Sequence, residues 1–357
     1  MFTTRKQIRT PFLSSTMALA LAFTFASTVR LSAAAPSDPL TLLPANSAAI
    51  GHINIHDLKD SPLTREIFKG LDQITTDGDA AKFLSDAGLN PATDFDAVTI
   101  GAAPKLENGN EAVVVVVEGH FDPERLARAA TARGAILKNA GGHSYYLLPE
   151  HQAPASAAAP HHDHSGAVAF LDNHMIVAGE EGAVAAALAG DGHRPALYEK
   201  QSGAITGTPT GWLLLDAARF GGGKVRASSE GRERRPSVEG NHPEQQIASL
   251  ARSVTFFAAQ FSVERSRVSF SGHLHAADAQ SRQDLEDVTR GLLAAWRMSM
   301  QEKNPDWVAV IRGFKVSQND EGLIVSGIIP GAMIEKWHAE AKANQQAEKR
   351  KAPVIAK

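Results

Sequence analysis

The chain contains no cysteine. That excludes disulfides, thiolate metal sites, iron–sulfur clusters, a cysteine nucleophile and lipid attachment through an N-terminal cysteine. A chain without thiols is indifferent to an oxidising compartment, which agrees with export. Long hydrophobic runs are also lacking. The longest, residues 17–29 (MALALAFTFASTV), is shorter than the roughly 20 apolar residues that span a bilayer. Nor is there an excess of positive charge, with 36 Lys and Arg against 39 Asp and Glu and a net charge of −3. A general nucleic-acid binder needs a basic face to displace counterions from phosphate, so that class is excluded.

What is present at the N-terminus reads as an address. Arg5, Lys6 and Arg9 precede the apolar run with no acidic residue nearby, and Ser32, Ala33, Ala34 and Ala35 supply small residues for a peptidase. The expectation is a secretory signal over residues 1–34 and an exported chain, periplasmic or extracellular. Arg30 interrupts the segment, and the Arg/Ser/Thr-rich, acid-free composition also suits an organelle transit peptide. The continuous, non-amphipathic apolar run favours secretion. Removal of residues 1–34 would take away four basic groups and no acidic one, making the remainder more acidic still.

The rest of the chain shows three matched blocks in the same order. AVTIGAAP (97–104) answers SVTFFAAQ (253–260), VEGHF (117–121) answers FSGHL (270–274), and MIVAGE (175–180) answers LIVSGI (323–328). A helical pattern follows the second block in each copy. This predicts an α+β fold of two tandem repeated units of mainly antiparallel sheet covered by helices, over residues 40–190 and 205–340. Expected strands are 48–58, 95–103, 111–119, two or three within 135–180, then 211–216, 307–317 and 322–329. Valines 113–117 are expected to lie centrally, covered on both faces. Helices are expected after Asp60, after Asp122, over 183–188, and over 281–298, where Leu285, Val288, Leu292 and Trp296 should face the sheet. Met333, Ile334 and Trp337 anchor a last helix, and residues 341–357 read as a disordered tail. Two insertions, 152–160 (QAPASAAAP) and 221–242 (Gly/Ser/Arg/Glu-rich), have little to bury.

The phrase GLNPATDFDAV (88–98), the PANSAA start (44–49) and the repeated order resemble a loose group of exported bacterial proteins of unknown function. That resemblance implies a signal sequence and duplicated α+β units. It carries no catalytic residues.

The sharpest chemical feature is a histidine-rich loop, 151–164, holding His151, His161, His162 and His164 with Asp163. Imidazoles suit zinc, copper or nickel. Evolved sites, however, take ligands from rigid elements held by surrounding hydrogen bonds, and Ala/Pro padding offers none. The reading is a solvated loop with no cofactor; the alternative is a site for Zn, Cu or Ni. His273 and His275 share one face of a strand, as His52 and His56 would, but no third ligand cluster accompanies them. His120 is expected at the place of His273 in the first copy.

Enzyme motifs fail on inspection. GGGK (221–224) lacks the earlier Gly and the following Ser or Thr of a phosphate loop, and Gly142-His143-Ser144-Tyr145 ends in Tyr146 where a nucleophile elbow needs Gly. The sequence therefore predicts a non-enzymatic exported protein that acts by binding an envelope protein or ligand, in a cleft between the two units.

Overall fold

The structure is a computed structural model that describes residues 38–65, 85–104, 112–149, 166–219 and 253–351. Residues 1–34, read above as a secretory signal, the histidine-rich loop 151–164 and the insertion 221–242 lie outside the described residues. The fold is α+β, with helices packed on a twelve-stranded antiparallel sheet.

The first half supplies β1 (Ala49–Asn54), β2 (Phe95–Ala103), β3 (Ala112–Gly119), β4 (Ile136–Ala140), β5 (His143–Leu147), β6 (Gly166–Phe170) and β7 (Met175–Glu180). The second half supplies β8 (Gly211–Asp216), β9 (Val254–Val263), β10 (Arg267–Ala276), β11 (Lys315–Gln318) and β12 (Gly322–Pro330). Between them run α1 (Ile55–Asp60), α2 (Pro91–Asp94), α3 (Pro123–Ala132), α4 (Glu181–Leu188), α5 (Ala196–Gln201), α6 (Ala279–Lys303), α7 (Pro305–Arg312) and α8 (Gly331–Lys351).

Two separate sheets were expected; one continuous sheet is found, in the order β11-β12-β10-β9-β8-β1-β2-β3-β7-β6-β5-β4. The halves join where β1 pairs antiparallel with β8, with Gly51 opposite Leu213 and His52 opposite Trp212. Pairing the two edge strands satisfies backbone groups that separate units would leave bare. Outward from this join the order is alike on both sides: the first three strands of each half, then its last strand. The matched sequence blocks fall on corresponding strands, but two of the three put their residues on opposite faces. Val177 lies in the buried core with Val116, whereas Val325 pairs with Gly272 on the other face. A one-residue slip along a strand turns every side chain over, so those blocks are not equivalent positions. His120 likewise follows the end of β3, while His273 sits within β10.

One face, here the front, buries Ile50, Val114, Val116, Val177, Leu214 and Phe256 under Val184 and Leu188 of α4, Leu197 of α5, and Leu40 and Leu42 of a short 3-10 turn. Among the described residues the back face is covered only at its flanks. In the first half, Leu126 and Ala129 of α3 pack on Val168 and Ile176. In the second, Phe270 of β10 meets Phe314 at 4.9 Å between ring centres, Phe314 meets Trp296 of α6 at 5.9 Å, and Trp307 joins Trp296 to Trp337 of α8.

Several local expectations change. The first strand ends at Asn54, because the Asn54 side chain accepts a hydrogen bond from Asp57 N at 2.9 Å and caps α1. Residues 305–312 form a helix where a strand was expected; Pro305 enters at its first turn, and Trp307, Val310 and Ile311 recur at helical spacing. Of the five valines only Val114 and Val116 are fully buried; Val113, Val115 and Val117, on the other face, are half-buried. Residues 135–180 hold four strands. Leu292 is 55% exposed and does not face the sheet. Residues 342–351 continue α8, and 352–357 lie outside the described residues.

Candidate functional site

Between α3 and α6 no described residue covers the back face of the central strands. That face forms a groove of about 600 Å³ crossing β12, β10, β9, β8, β1 and β2. Ile53, Ile100, Leu213, Phe257, Phe261 and Leu274 line it. Strand alternation explains the absence of polar side chains there. His52, Trp212 and Gln260 share these strands but turn to the front. His52 Nδ1 lies 2.9 Å from Thr99 Oγ1 and its ring stacks on Trp212. Gln260 Nε2 donates to Thr206 Oγ1 at 2.8 Å. Burial lowers the pKa of His52 below its ordinary value of 6.5. The groove thus combines two central-strand residues left accessible, Ile100 at 42% and Leu213 at 38% exposure, with an apolar floor. The halves share one sheet, and this groove runs across their join.

A second, polar cleft of about 850 Å³ opens at the end of the sheet where β1 and β3 finish and β2 and β7 begin. His120 follows β3, and the turn 171–174 joins β6 to β7. Backbone bonds knit the two: Gly119 N donates to His174 O at 2.9 Å and Phe121 N to Asn173 O at 2.8 Å. His120 Nδ1 lies 3.1 Å from Asp96 Oδ2. His174 Nδ1 lies 3.1 Å from Gly119 O, and the two imidazole centres are 5.6 Å apart. Lys59 Nζ donates to Phe95 O at 2.6 Å. The Glu118 carboxyl is half-buried, and burial, then Asp38 and Asp96, raise its pKa above the ordinary 4.5.

Of the sequence candidates, His151, His161, His162 and His164 lie outside the described residues. His52 and His56 do not share a strand face: His56 is on α1, exposed and 3.4 Å from Asp60. His273 and His275 do share the front face of β10. His275 packs on Phe256 at 4.8 Å and reaches Glu321 at 3.6 Å. The pKa of His273 is lowered by burial and then by His275. Among the described residues no group of three or more His, Asp or Glu is arranged to hold one metal ion. Sequence reasoning missed Asp96, Glu118 and His174; only the EGH phrase, 118–120, drew attention to this end of β3.

No family model matches the chain, and no curated protein matches it. Among solved structures it is similar to crystal form I of TP0453, at 12% identity and a TM-score of 0.43, covering 84% of this chain and 95% of that one. It is similar also to crystal form III of TP0453, at 12% identity and a TM-score of 0.45, over 82% and 94% of the two chains. Likeness at that level carries no argument about function. No helix among the described residues is long and apolar enough to cross a membrane.

Proposed function

We propose that this is an exported, non-enzymatic binding protein whose back-face groove takes an elongated apolar ligand of the acyl-chain class. The observation that carries the reading is the groove itself, an apolar trough of about 600 Å³ across the middle of the sheet. Its volume falls in the usual range for small-molecule sites, roughly 300–1,000 Å³. Six strands at about 4.8 Å spacing give the floor a length of about 24 Å, which suits an extended chain. Without side-chain donors or acceptors on the floor, a sugar or nucleotide would lose its hydrogen bonds to water and gain none, so the lining selects against them. Accessible apolar side chains gathered in one patch, rather than scattered, are the usual mark of a binding surface.

Export rests on the residues 1–34 pattern, and protein from its native host should show an intact mass for a chain beginning near Ala35. The common strand order on either side of β1 and β8 supports descent of the halves from one unit. Ligand binding is tested by titrating the protein with a long-chain fatty acid against an apolar fluorescent probe. The unmodified chain should take up the probe and release it to the fatty acid, and L213E, which places a charge on the floor, should do neither. Equal uptake by L213E, or none by the unmodified chain, would refute the reading. Association of the unmodified chain into a dimer that excludes the probe would instead identify the groove as an interface between copies.

A further inference from the structure

We propose that His120 and His174 form a second site, a two-histidine centre for a divalent transition-metal ion of the zinc, copper and nickel class. It does not depend on the groove. Each imidazole has one nitrogen already engaged: Nδ1 of His120 with the Asp96 carboxylate at 3.1 Å, and Nδ1 of His174 with the Gly119 carbonyl at 3.1 Å. In a neutral ring an Nδ1–H that donates to such an acceptor leaves the lone pair on Nε2, the atom that binds a metal. Donation of the other ring N–H to a carboxylate or a backbone carbonyl is the arrangement that habitually orients metal-ligating histidines and raises their basicity. Here both forms of that support occur side by side.

The spacing agrees. With metal–nitrogen bonds of about 2.0–2.1 Å and tetrahedral geometry, two imidazole centres on one ion stand roughly 5 Å apart. The observed 5.6 Å needs only a small rotation of exposed side chains, and an interplanar angle of 79° keeps the rings from stacking face to face. The backbone is better fixed than the side chains, because the bonds from Gly119 N and Phe121 N lock the end of β3 to the 171–174 turn. Asp96, Glu118 and Asp172 also line the cleft, against Lys59 as its one lysine or arginine among the described lining, so its field favours a cation. Among the described residues no third protein ligand is placed around the pair. The remaining positions on the ion belong to water or to an incoming donor, so this is an open site. Its two ligands are also different residues from His151, His161, His162 and His164 of the histidine-rich loop. The chain leaves β5 at Leu147 and re-enters β6 at Gly166, the end of β6 away from the 171–174 turn.

The test uses the full chain with His151, His161, His162 and His164 replaced by Ser, titrated calorimetrically with Zn²⁺ alone. One ion should bind per chain. The added pair H120A and H174A should abolish it while leaving the circular dichroism spectrum unchanged, since both rings are exposed. D96N, which removes only the carboxylate behind His120, should weaken binding by about tenfold. A separate readout on the unmodified chain is the imidazole nitrogen spectrum, in which the Nε2 signals of His120 and His174 should move on adding Zn²⁺ while their Nδ1 signals stay. Absence of binding once the loop histidines are gone, equal binding by the H120A and H174A chain, or Nε2 signals that do not respond would each overturn the proposal.

Discussion

Glu118 shows how a single side chain can work against the fold that holds it. Its carboxyl is half-buried at the end of β3, and burial, Asp38 and Asp96 all raise its pKa above 4.5. The folded chain therefore holds that proton more tightly than the unfolded chain does. The resulting stabilisation is fully present below about pH 4.5 and is lost as pH rises through the folded value. E118Q should accordingly raise the melting temperature at neutral pH, and the difference from the unmodified chain should vanish below about pH 4.5. A variant less stable at neutral pH would contradict the assignment. His52 has the opposite sign. Burial lowers its pKa from 6.5, so the unfolded chain takes up the proton first. Its contribution is present above pH 6.5 and falls away as pH drops through the folded value; His273 acts in the same sense. Melting curves taken from about pH 7.5 down to about pH 5 should show a decline that flattens in the H52N and H273N chain. An unchanged slope would mean that other groups set it.

At the scale of elements, caps and turns were the most legible features. Asp122 followed by Pro123 announces α3, and Arg125 N donates to the Asp122 carboxylate at 3.0 Å. Because α3 is the lid over Val168 and Ile176, loss of this cap should weaken the whole first half. D122A should cost about 1 kcal/mol in urea unfolding, within the usual 0.5–2 kcal/mol for caps, and an unchanged midpoint would show that α3 is held by packing alone. The strands β2 and β8 were readable to the residue, since polar or turn residues bracket each apolar run. The misreading of residues 307–312 has an equally local cause. Their Val-Ala-Val-Ile core satisfies a period of two, and only the Trp307, Val310, Ile311 and Phe314 set, entered through Pro305, reveals the helix. His174 gave no signal at all: its significance comes from His120, just past the end of β3, and from a carbonyl that any residue at position 119 would supply.

For the whole molecule, the α+β class could be read from patterning, whereas the groove could not. Its floor exists only because Gly51 comes to lie beside Leu213 and Leu213 beside Ala259, and no local pattern states which strands will meet. One shared sheet also means that neither half has a closed edge of its own. Chains cut between residues 204 and 205 should each aggregate or remain partly unfolded when made alone, and regain a native spectrum when refolded together. A half that gives a dispersed proton–nitrogen spectrum by itself would show independent domains after all.

The β1–β8 seam also governs timing. Ala49 must find Leu215 across most of the first half of the chain, while β2–β3 and β9–β10 pair near neighbours. Lengthening a loop adds little to its equilibrium cost, about 0.6 kcal/mol per doubling, yet distant pairings are slow to form. As the chain emerges during synthesis, β1 waits with one edge unsatisfied until residue 216 has followed it. In pulse-labelled hydrogen exchange, the Asn54 amide, which donates to Thr210 O across the seam, should gain protection later than the amides of β9 and β10. The seam that creates the groove is thus also the step during which the nascent protein is most exposed to association with other chains.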